Sequence, residues 1–283
     1  MEVYHTIAEI RNFVREQKIT GNSVGFVPTM GYLHQGHLTL MEEARKENDI
    51  VVVSIFVNPT QFGPDEDYGE YPRDLSRDVE LATGVGVDVV FSPQTEEIYL
   101  PNSATTVEVE GLTNHLCGAT REGHFTGVCT IVSKLFNIIN PDRAYFGQKD
   151  AQQVLVIKRM VKDLNFDIDI VTVPIVREKD GLAISSRNKY LGQDEREAAL
   201  VLYQALQIAQ NLIGSGERDR DIIKQQLVER IDREPLAEID YVDIVNQNNL
   251  EEAEEIKGEI LIALAVYIGK TRLIDNLMLE VDK

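Results

Sequence analysis

Two histidines stand three residues apart in a glycine-containing segment, PTMGYLHQGH, at residues 28–37. An apolar run typical of a buried strand precedes the segment, and an amphipathic run typical of a helix follows it. A turn between a strand and a helix presents unpaired backbone N–H groups and the positive end of the helix dipole, which together favour an anion. Gly31 and Gly36 would let a ligand approach the backbone. His34 and His37 can donate N–H bonds to phosphate oxygens, so the segment predicts a phosphate-binding turn.

Two other interpretations of these histidines stay open. The spacing of His34 and His37 also occurs in metal sites, and the chain offers further ligands in His115, Cys117 and His124. That set is irregularly spaced, and a glycine-rich turn is a poor rigid platform for zinc, so a metal is the weaker alternative. A turn with a purely structural role is the other. The sequence contains neither a P-loop motif (GxxxxGKS or GxxxxGKT) nor the GxGxxG fingerprint of dinucleotide-binding folds.

The elements that would position this turn alternate along the first two thirds of the chain. Near-continuous apolar runs such as VVVSIFV, after Ile50, read as buried strands and are separated by helical patterns. This alternation predicts a parallel sheet covered by helices on both faces, in which ligands bind beyond the carboxyl ends of the strands. Three more polar segments follow predicted strands: NPTQF at 58–62, FGQKD at 146–150 and VREKDGLAISSRN at 176–188.

The pattern changes from about Gln193. Two helical stretches, DEREAALVLYQALQIAQNLIG and RDIIKQQLVERIDR, precede three strand-like stretches, IDYVDIVN, EILIALAVYIG and TRLIDNLML. The last two are separated by a GKT turn, which is typical of a hairpin. Helices followed by a strand meander predict a smaller, separate α+β domain. We therefore predict an α/β domain over residues 1–187 and an α+β domain over residues 188–283.

Composition excludes several classes of protein. The chain has 283 residues of which 43% are hydrophobic, enough for a substantial core. Its formal charge of −19 argues against a general nucleic-acid binder. The longest apolar stretch, ILIALAVYIG, is about half the roughly 20 residues that a membrane span needs. With two cysteines, Cys117 and Cys129, and no basic apolar leader, we expect a soluble cytoplasmic protein.

Two signatures together resemble the HxGH nucleotidyltransferase superfamily. GYLHQGH follows the first long strand, and ISSRN at 184–188 occupies the place of the superfamily's second signature. Read in order with FVPTMGYLHQGH, the segments VVSIFVNPTQFGPDEDYGEYPR, REGHFTGVCTIVSKLFN, FGQKDAQQ and GLAISSRNKYL resemble the pantothenate synthetase (pantoate–β-alanine ligase) family. The resemblance is specific to about Gly192 and looser beyond it.

This resemblance implies a fold and a reaction. The family has a Rossmann-like N-terminal domain that holds the active site and a C-terminal domain that closes over the nucleotide. It condenses pantoate with β-alanine, using ATP and Mg²⁺, through a pantoyl-adenylate intermediate. The resemblance also implies a cytosolic homodimer.

The resemblance further implies which residues form the site. His34, His37, Lys149 and Arg187 would be catalytic. Asn58, Gln61 and Gln153 would hold pantoate, and Gln61 would also contact β-alanine. This chain has Gln148 and Ile184 where the family often has glutamate and methionine, and neither change alters the predicted reaction. The residues expected to contact ATP are Met30, Gly31, His34, Gly36, His37, Gly147, Gln148, Lys149, Asp150, Val176, Ile184, Ser185, Ser186 and Arg187.

The chemistry of adenylation suits these residue types. A carboxylate and a triphosphate are both anions, so donors and positive charge must be concentrated where they meet. The runner-up hypothesis is a nucleotidyltransferase acting on a phosphorylated acceptor, although such an acceptor should meet more arginines and lysines than glutamines. A nucleotide-binding module without activity is a third. The roles of Arg121 and His124 stay open between phosphate contact and loop support. Magnesium ligands stay unassigned, with Asp67 and Asp78 as candidates.

Overall fold

The computed structural model describes residues 1–64 and 66–282, and these fall into two compact units. Unit 1 comprises Met1–Thr113, Cys117–Gln148 and Gln152–Pro174. Unit 2 comprises Asn114–Leu116, Lys149–Ala151 and the chain from Ile175 onward. The domain boundary between residues 187 and 188 stays a prediction, while packing groups residues 175–187 with unit 2. Lys283, the last residue of the predicted second domain, lies outside the described residues.

Unit 1 is built on a six-stranded sheet in which every strand pairs parallel to its neighbours. Its strands are β1 (Glu2–Tyr4), β2 (Val24–Thr29), β3 (Ile50–Ile55), β4 (Val89–Phe91), β5 (Arg143–Gly147) and β6 (Asp169–Val173). They lie in the order β1-β4-β3-β2-β5-β6. The parallel sheet predicted from the apolar runs is thereby confirmed.

Helices cover both faces of this sheet. The helices in this part of the chain are α1 (Ile7–Ile19), α2 (Gln35–Glu47), α3 (Leu75–Gly84), α4 (Thr95–Ile98), α5 (Leu116–Thr120), α6 (His124–Ile139) and α7 (Ala151–Asp163). Val27 packs in one buried cluster with Met41 of α2. The next residue along the chain toward the N-terminus, Phe26, meets the ring of Phe136 in α6 edge-on at 6.4 Å. Because side chains of a strand alternate between faces, α2 and α6 lie on opposite sides of the sheet.

The carboxyl ends of the central strands share one edge of the sheet. Thr29 at the end of β2 is in register with Ile55 at the end of β3, and Gly147 at the end of β5 with Val173 at the end of β6. The strand order reverses between β2 and β5, which pair with each other. Such a reversal opens the crevice in which α/β sheets bind ligands.

Unit 2 is a layer of helices on an antiparallel sheet. Its elements are α8 (Gln193–Ala198), α9 (Leu200–Gly214), α10 (Arg220–Asp232), β7 (Ala237–Asn246), β8 (Gly258–Ile268) and β9 (Thr271–Val281). The strands follow chain order, and Gly269 turns β8 into β9 with a φ of 57°. Leu202, Leu227 and Leu264 belong to the buried cluster that joins the helices to the sheet. The predicted α+β arrangement of this part is confirmed.

An ion pair with a buried carboxylate fastens the segment after β6 to β9. Asp275 of β9 is 3% exposed and accepts two hydrogen bonds from Arg177, at 2.6 and 2.8 Å. The guanidinium of Arg177 also donates to the carbonyl of Gly181 at 3.0 Å and lies 4.6 Å from the ring centroid of Tyr203. Burial raises the pKa of Asp275, and the bonds from Arg177 oppose that rise. Removing Arg177 would leave a desolvated carboxylate, and removing Asp275 would leave a half-buried guanidinium without its counter-ion.

We expect Asp275→Ala to lower the free energy of unfolding by about 3 kcal/mol, the lower end for breaking a buried pair, because the Arg177 side chain is 21% exposed and would lose its counter-ion. Asp243→Ala serves as the control, since Asp243 pairs with Lys224 at 2.8 Å on a partly exposed surface of the same sheet. Its cost should stay below about 1 kcal/mol. Urea unfolding followed by far-UV circular dichroism measures both. Equal costs for the two variants would contradict the importance of the buried pair.

Candidate active site

The turn after β2 takes an unusual backbone path. Gly31 and Tyr32 are both left-handed, with φ of 81° and 51°. A left-handed tyrosine is unfavourable by about 1–2 kcal/mol, so the surrounding structure must hold it. Asp78 of α3 does so by accepting from the backbone N–H groups of Tyr32 and Leu33, each at 2.7 Å. One carboxylate therefore fixes the residues that lead into His34.

Asp78 is almost inaccessible to solvent, at 1% exposure. Burial raises the pKa of its carboxyl, while the N–H groups of Leu33 and Tyr32 and the charge of Arg77 oppose that rise. A Cβ on Gly31 would lie 2.9 Å from Oδ2 of Asp78, so the glycine makes room for this carboxylate. Sequence analysis explained Gly31 by the approach of a ligand, whereas packing against Asp78 already requires it.

The two histidines lie at the start of α2, where the helix dipole is positive. His34 caps the helix, and its ring stacks on that of His37 with centroids 4.0 Å apart. The backbone N–H of His34 donates to Nδ1 of His37 at 3.4 Å. Because Nδ1 accepts, the proton of a neutral His37 ring resides on Nε2. His37 is thus prepared as a donor at the amino end of a helix.

A metal interpretation of the histidines gains no support from the described chain. Within residues 1–64 and 66–282, no three side chains of His, Cys, Asp or Glu are grouped closely enough to hold an ion. His34 and His37 lie beside backbone N–H donors at a helix start, which suits a phosphate better than a cation.

A cluster of buried amides lies at the end of the neighbouring strand β3. Asn58 is 1% exposed, and Gln61, in a single 3-10 turn at Pro59–Gln61, is 9% exposed. Nδ2 of Asn58 donates to the carbonyl of Gly127 at 3.2 Å and to Oε1 of Gln61 at 3.1 Å. Oδ1 of Asn58 accepts from the hydroxyl of Tyr99 at 2.8 Å. Asn58 therefore supports Gln61, and its predicted contact with pantoate stays a prediction.

This network fixes which way Gln61 points. The carbonyl of Gly127 can only accept, so Asn58 must turn its amino group toward it. The same amino group reaches Gln61, which must then present its oxygen to Asn58. Nε2 of Gln61 is left pointing toward Met30, whose sulfur lies 3.3 Å away. Gln61 thus offers an N–H donor beside the turn that carries the histidines.

The glutamines at the start of α7 differ from each other. Gln152 is 6% exposed and donates to the carbonyl of Leu112 at 2.8 Å, which makes it part of the scaffold. Gln153, the predicted pantoate ligand, is half-buried. Gly147 ends β5, and Gln148 begins the 3-10 turn at Gln148–Asp150. These residues follow the strand that pairs with β2.

In unit 2, the backbone of Lys149 is held by the C-terminal strand. Nδ2 of Asn276 in β9 donates to the carbonyl of Lys149 at 3.0 Å. The ammonium of Lys149 is 3.8 Å from the half-exposed carboxylate of Asp150, a contact of little energetic weight. Sequence analysis missed Asn276, although a polar Asp-Asn pair within the apolar run LIDNLML is a signal for such a role.

The second predicted signature is folded back on the segment after β6. The N–H of Ile184 donates to the carbonyl of Val176 at 3.0 Å, and Arg177 bridges to Ala183. Ser185 caps a 3-10 turn at Ser186–Tyr190 by accepting from the N–H of Arg187 at 3.3 Å. Val176 and the segment 184–187, both predicted to contact ATP, are therefore neighbours.

Comparison with known proteins gives a family. A family model described as Pantoate-beta-alanine ligase matches residues 2–278. The pantothenate synthetase of Moorella thermoacetica is 58% identical over 282 residues, which cover 100% of both chains. That of Pelotomaculum thermopropionicum is 59% identical over 279 residues, or 99% of each chain.

Solved structures agree. The crystal structure of pantothenate synthetase from Thermus thermophilus matches with a TM-score of 0.93 and 47% identity, covering 98% of this chain and 99% of that one. A pantoate-beta-alanine ligase from Francisella tularensis, complexed with beta-gamma ATP and beta-alanine, matches at 0.80 and 36% identity over 98% and 97% of the two chains. The predicted resemblance is confirmed, and the chain belongs to the pantoate–β-alanine ligase family.

Proposed function

We propose that the chain condenses (R)-pantoate with β-alanine to give pantothenate, AMP and pyrophosphate through pantoyl adenylate. The observation that carries this proposal lies at one edge of the parallel sheet. A helix start bearing His34 and His37 follows β2, and the buried amide of Gln61 follows β3, its direct neighbour. A phosphate-binding turn beside an amide that can address a hydroxy acid is what adenylation of such an acid requires.

The reaction has two steps. A carboxylate oxygen of pantoate attacks the α-phosphorus of ATP, and the bond to the bridging oxygen of pyrophosphate breaks. The amine of β-alanine then attacks the acyl carbon, and AMP leaves with the electron pair of the broken C–O bond. Charge grows on the departing phosphate oxygens in the first step. We assign His34, His37, Lys149 and Arg187 to stabilising that charge, with His37 donating through Nε2.

The Francisella tularensis ligase complexed with beta-gamma ATP and beta-alanine supports ATP and β-alanine as substrates here. Mg²⁺ would supply further charge neutralisation on the triphosphate. The described residues offer no acidic cluster for it, which fits an ion held mainly by phosphate oxygens and water. The proposed ATP contacts are Met30, Gly31, His34, Gly36, His37, Gly147, Gln148, Lys149, Asp150, Val176, Ile184, Ser185, Ser186 and Arg187.

For the acid, we propose Gln61 and Gln153 as the direct ligands, with Asn58 close by. An amide both donates and accepts, which suits the hydroxyls and the carboxylate of pantoate. Gln61 would contact β-alanine in the second step, because its N–H donor can serve a second carboxylate.

We further propose that the enzyme is a cytoplasmic homodimer, as the family resemblance implies. In the part of the chain that the structure describes, no helix is long and apolar enough to cross a bilayer.

The first test is ATP–pyrophosphate exchange with a panel of small hydroxy acids and no amine, followed by addition of β-alanine. We expect exchange that requires pantoate, and AMP release that requires β-alanine. Exchange with a phosphorylated acceptor in place of pantoate would identify a nucleotidyltransferase. ATP binding without any exchange would identify a binding module.

Lys149→Ala should lower the rate of pantoate-dependent exchange by about two to three orders of magnitude, the scale for losing one charge-stabilising donor. Lys158→Ala is the matched control, because Lys158 is exposed on α7. We expect that variant to keep normal exchange. Turnover of the Lys149 variant close to that of the control would remove Lys149 from the catalytic set.

Asp78→Asn should raise KM for ATP about tenfold or more, because an amide nitrogen would face a backbone N–H that the carboxylate now binds. Asp74→Asn is the control in the same helix. Asp74 caps α3 by accepting from the N–H of Arg77 at 3.1 Å, and asparagine caps helices equally well. Steady-state exchange kinetics measure both variants. Matching KM values in the two would show that the carboxylate does not shape the nucleotide turn.

A further inference from the structure

A chain of hydrogen bonds runs from the acidic loop after β3 to the main chain of Gln61. Glu66 accepts from Nε and Nη2 of Arg121, at 2.7 and 2.6 Å. Nη1 of Arg121 lies 3.0 Å from Nε2 of His124. Nδ1 of His124 lies 2.8 Å from the carbonyl oxygen of Gln61. All four residues belong to unit 1.

The partners at each end determine the protonation of His124. The carbonyl of Gln61 can only accept, so Nδ1 of His124 carries a proton and donates it. A guanidinium can only donate, so Nε2 of His124 accepts from Arg121. His124 is therefore neutral in this arrangement. The bonds from Arg121 also hold the pKa of the Glu66 carboxyl below its ordinary value, which keeps the far end of the chain charged.

The first turns of α6 also contact the rest of the 3-10 turn at Pro59–Gln61 and the residue before it, Asn58. Gly123 caps the helix in a left-handed conformation, with φ of 75°, which places His124 at its start. A Cβ on Gly127 would lie only 2.3 Å from the carbonyl oxygen of Thr60, so this glycine allows helix and turn to touch. The carbonyl of Gly127 also orients Asn58, which in turn binds the side chain of Gln61.

We propose that Glu66, Arg121 and His124 are positioning residues that fix the main chain of Gln61 and thereby set the affinity for pantoate. Asn58 orients the side-chain amide of Gln61 and His124 its backbone, so the direction of the Nε2 donor is determined from two sides. Arg121 bonds Glu66 and His124 through all three of its guanidinium nitrogens, which makes it the link between the two ends of this chain of hydrogen bonds. The proposal rests on the proposed function, because the acid that Gln61 addresses is the substrate of that reaction.

The test uses two substitutions of His124 with opposite expectations. His124→Leu removes the donor to the Gln61 carbonyl and should raise KM for pantoate in ATP–pyrophosphate exchange about tenfold, with KM for ATP unchanged. His124→Asn places an amide N–H near the position of Nδ1 and should stay within about threefold of the parent. A general loss of folding would not produce this difference between the substrates. Equal rises in both KM values, or no rise in either, would overturn the positioning role.

A double-mutant cycle with Gln61→Ala asks whether His124 acts through Gln61. In the Gln61→Ala background, His124→Leu should change KM for pantoate by less than about twofold, because the positioned amide is already gone. If the KM increases of the two single variants multiplied in the double variant, His124 would act on the substrate directly, and the proposal would fall. Glu66→Gln weakens the other end of the chain of hydrogen bonds, and we expect it to raise KM for pantoate about threefold. It replaces the His124 variants in the test if those fold poorly. A parent protein without pantoate-dependent exchange would overturn the proposed function itself, which separates the two failures.

Discussion

The candidate site depends on one desolvated carboxylate that satisfies backbone donors at the end of a buried strand. Two consecutive left-handed residues after β2 point the N–H groups of Tyr32 and Leu33 away from any ladder. Buried backbone donors must find partners, and Asp78 accepts both. Because α3 brings this carboxylate to the turn, the path of the chain into His34 is set by tertiary packing as well as by local propensity.

The matching of donors to acceptors also orients the amides after β3. Groups that can only accept or only donate a hydrogen bond, such as the carbonyl of Gly127 and the guanidinium of Arg121, fix the orientation of groups that can do both. Asn58 and His124 take their orientation from such a partner, and Gln61 takes its own from Asn58. A polar network in which every member is satisfied is rigid, and rigidity is what a small hydroxy acid needs from its binding site.

Sequence patterns predicted the elements well, because hydrophobic periodicity is a local signal. The apolar runs predicted β2, β3 and the hairpin of β8 and β9. Glycines after a predicted strand marked the turn that carries His34 and His37. The supporting residues were missed or left unassigned for a physical reason. Asp78 acts on a residue 46 positions away, and Asn276 on one 127 positions away. Sequence periodicity does not predict which distant polar group will contact a given backbone atom.

Net charge is a poor guide to what such a chain binds, since several of its cations already have anionic partners. Arg177 is held by Asp275 and Arg121 by Glu66, each through two short hydrogen bonds. Lys149 instead lies 3.8 Å from a half-exposed carboxylate, which water screens. Its charge therefore remains effective toward a ligand. The relevant quantity is therefore how each cation is paired, because the sum of the charges does not tell which of them can still act on an anionic ligand.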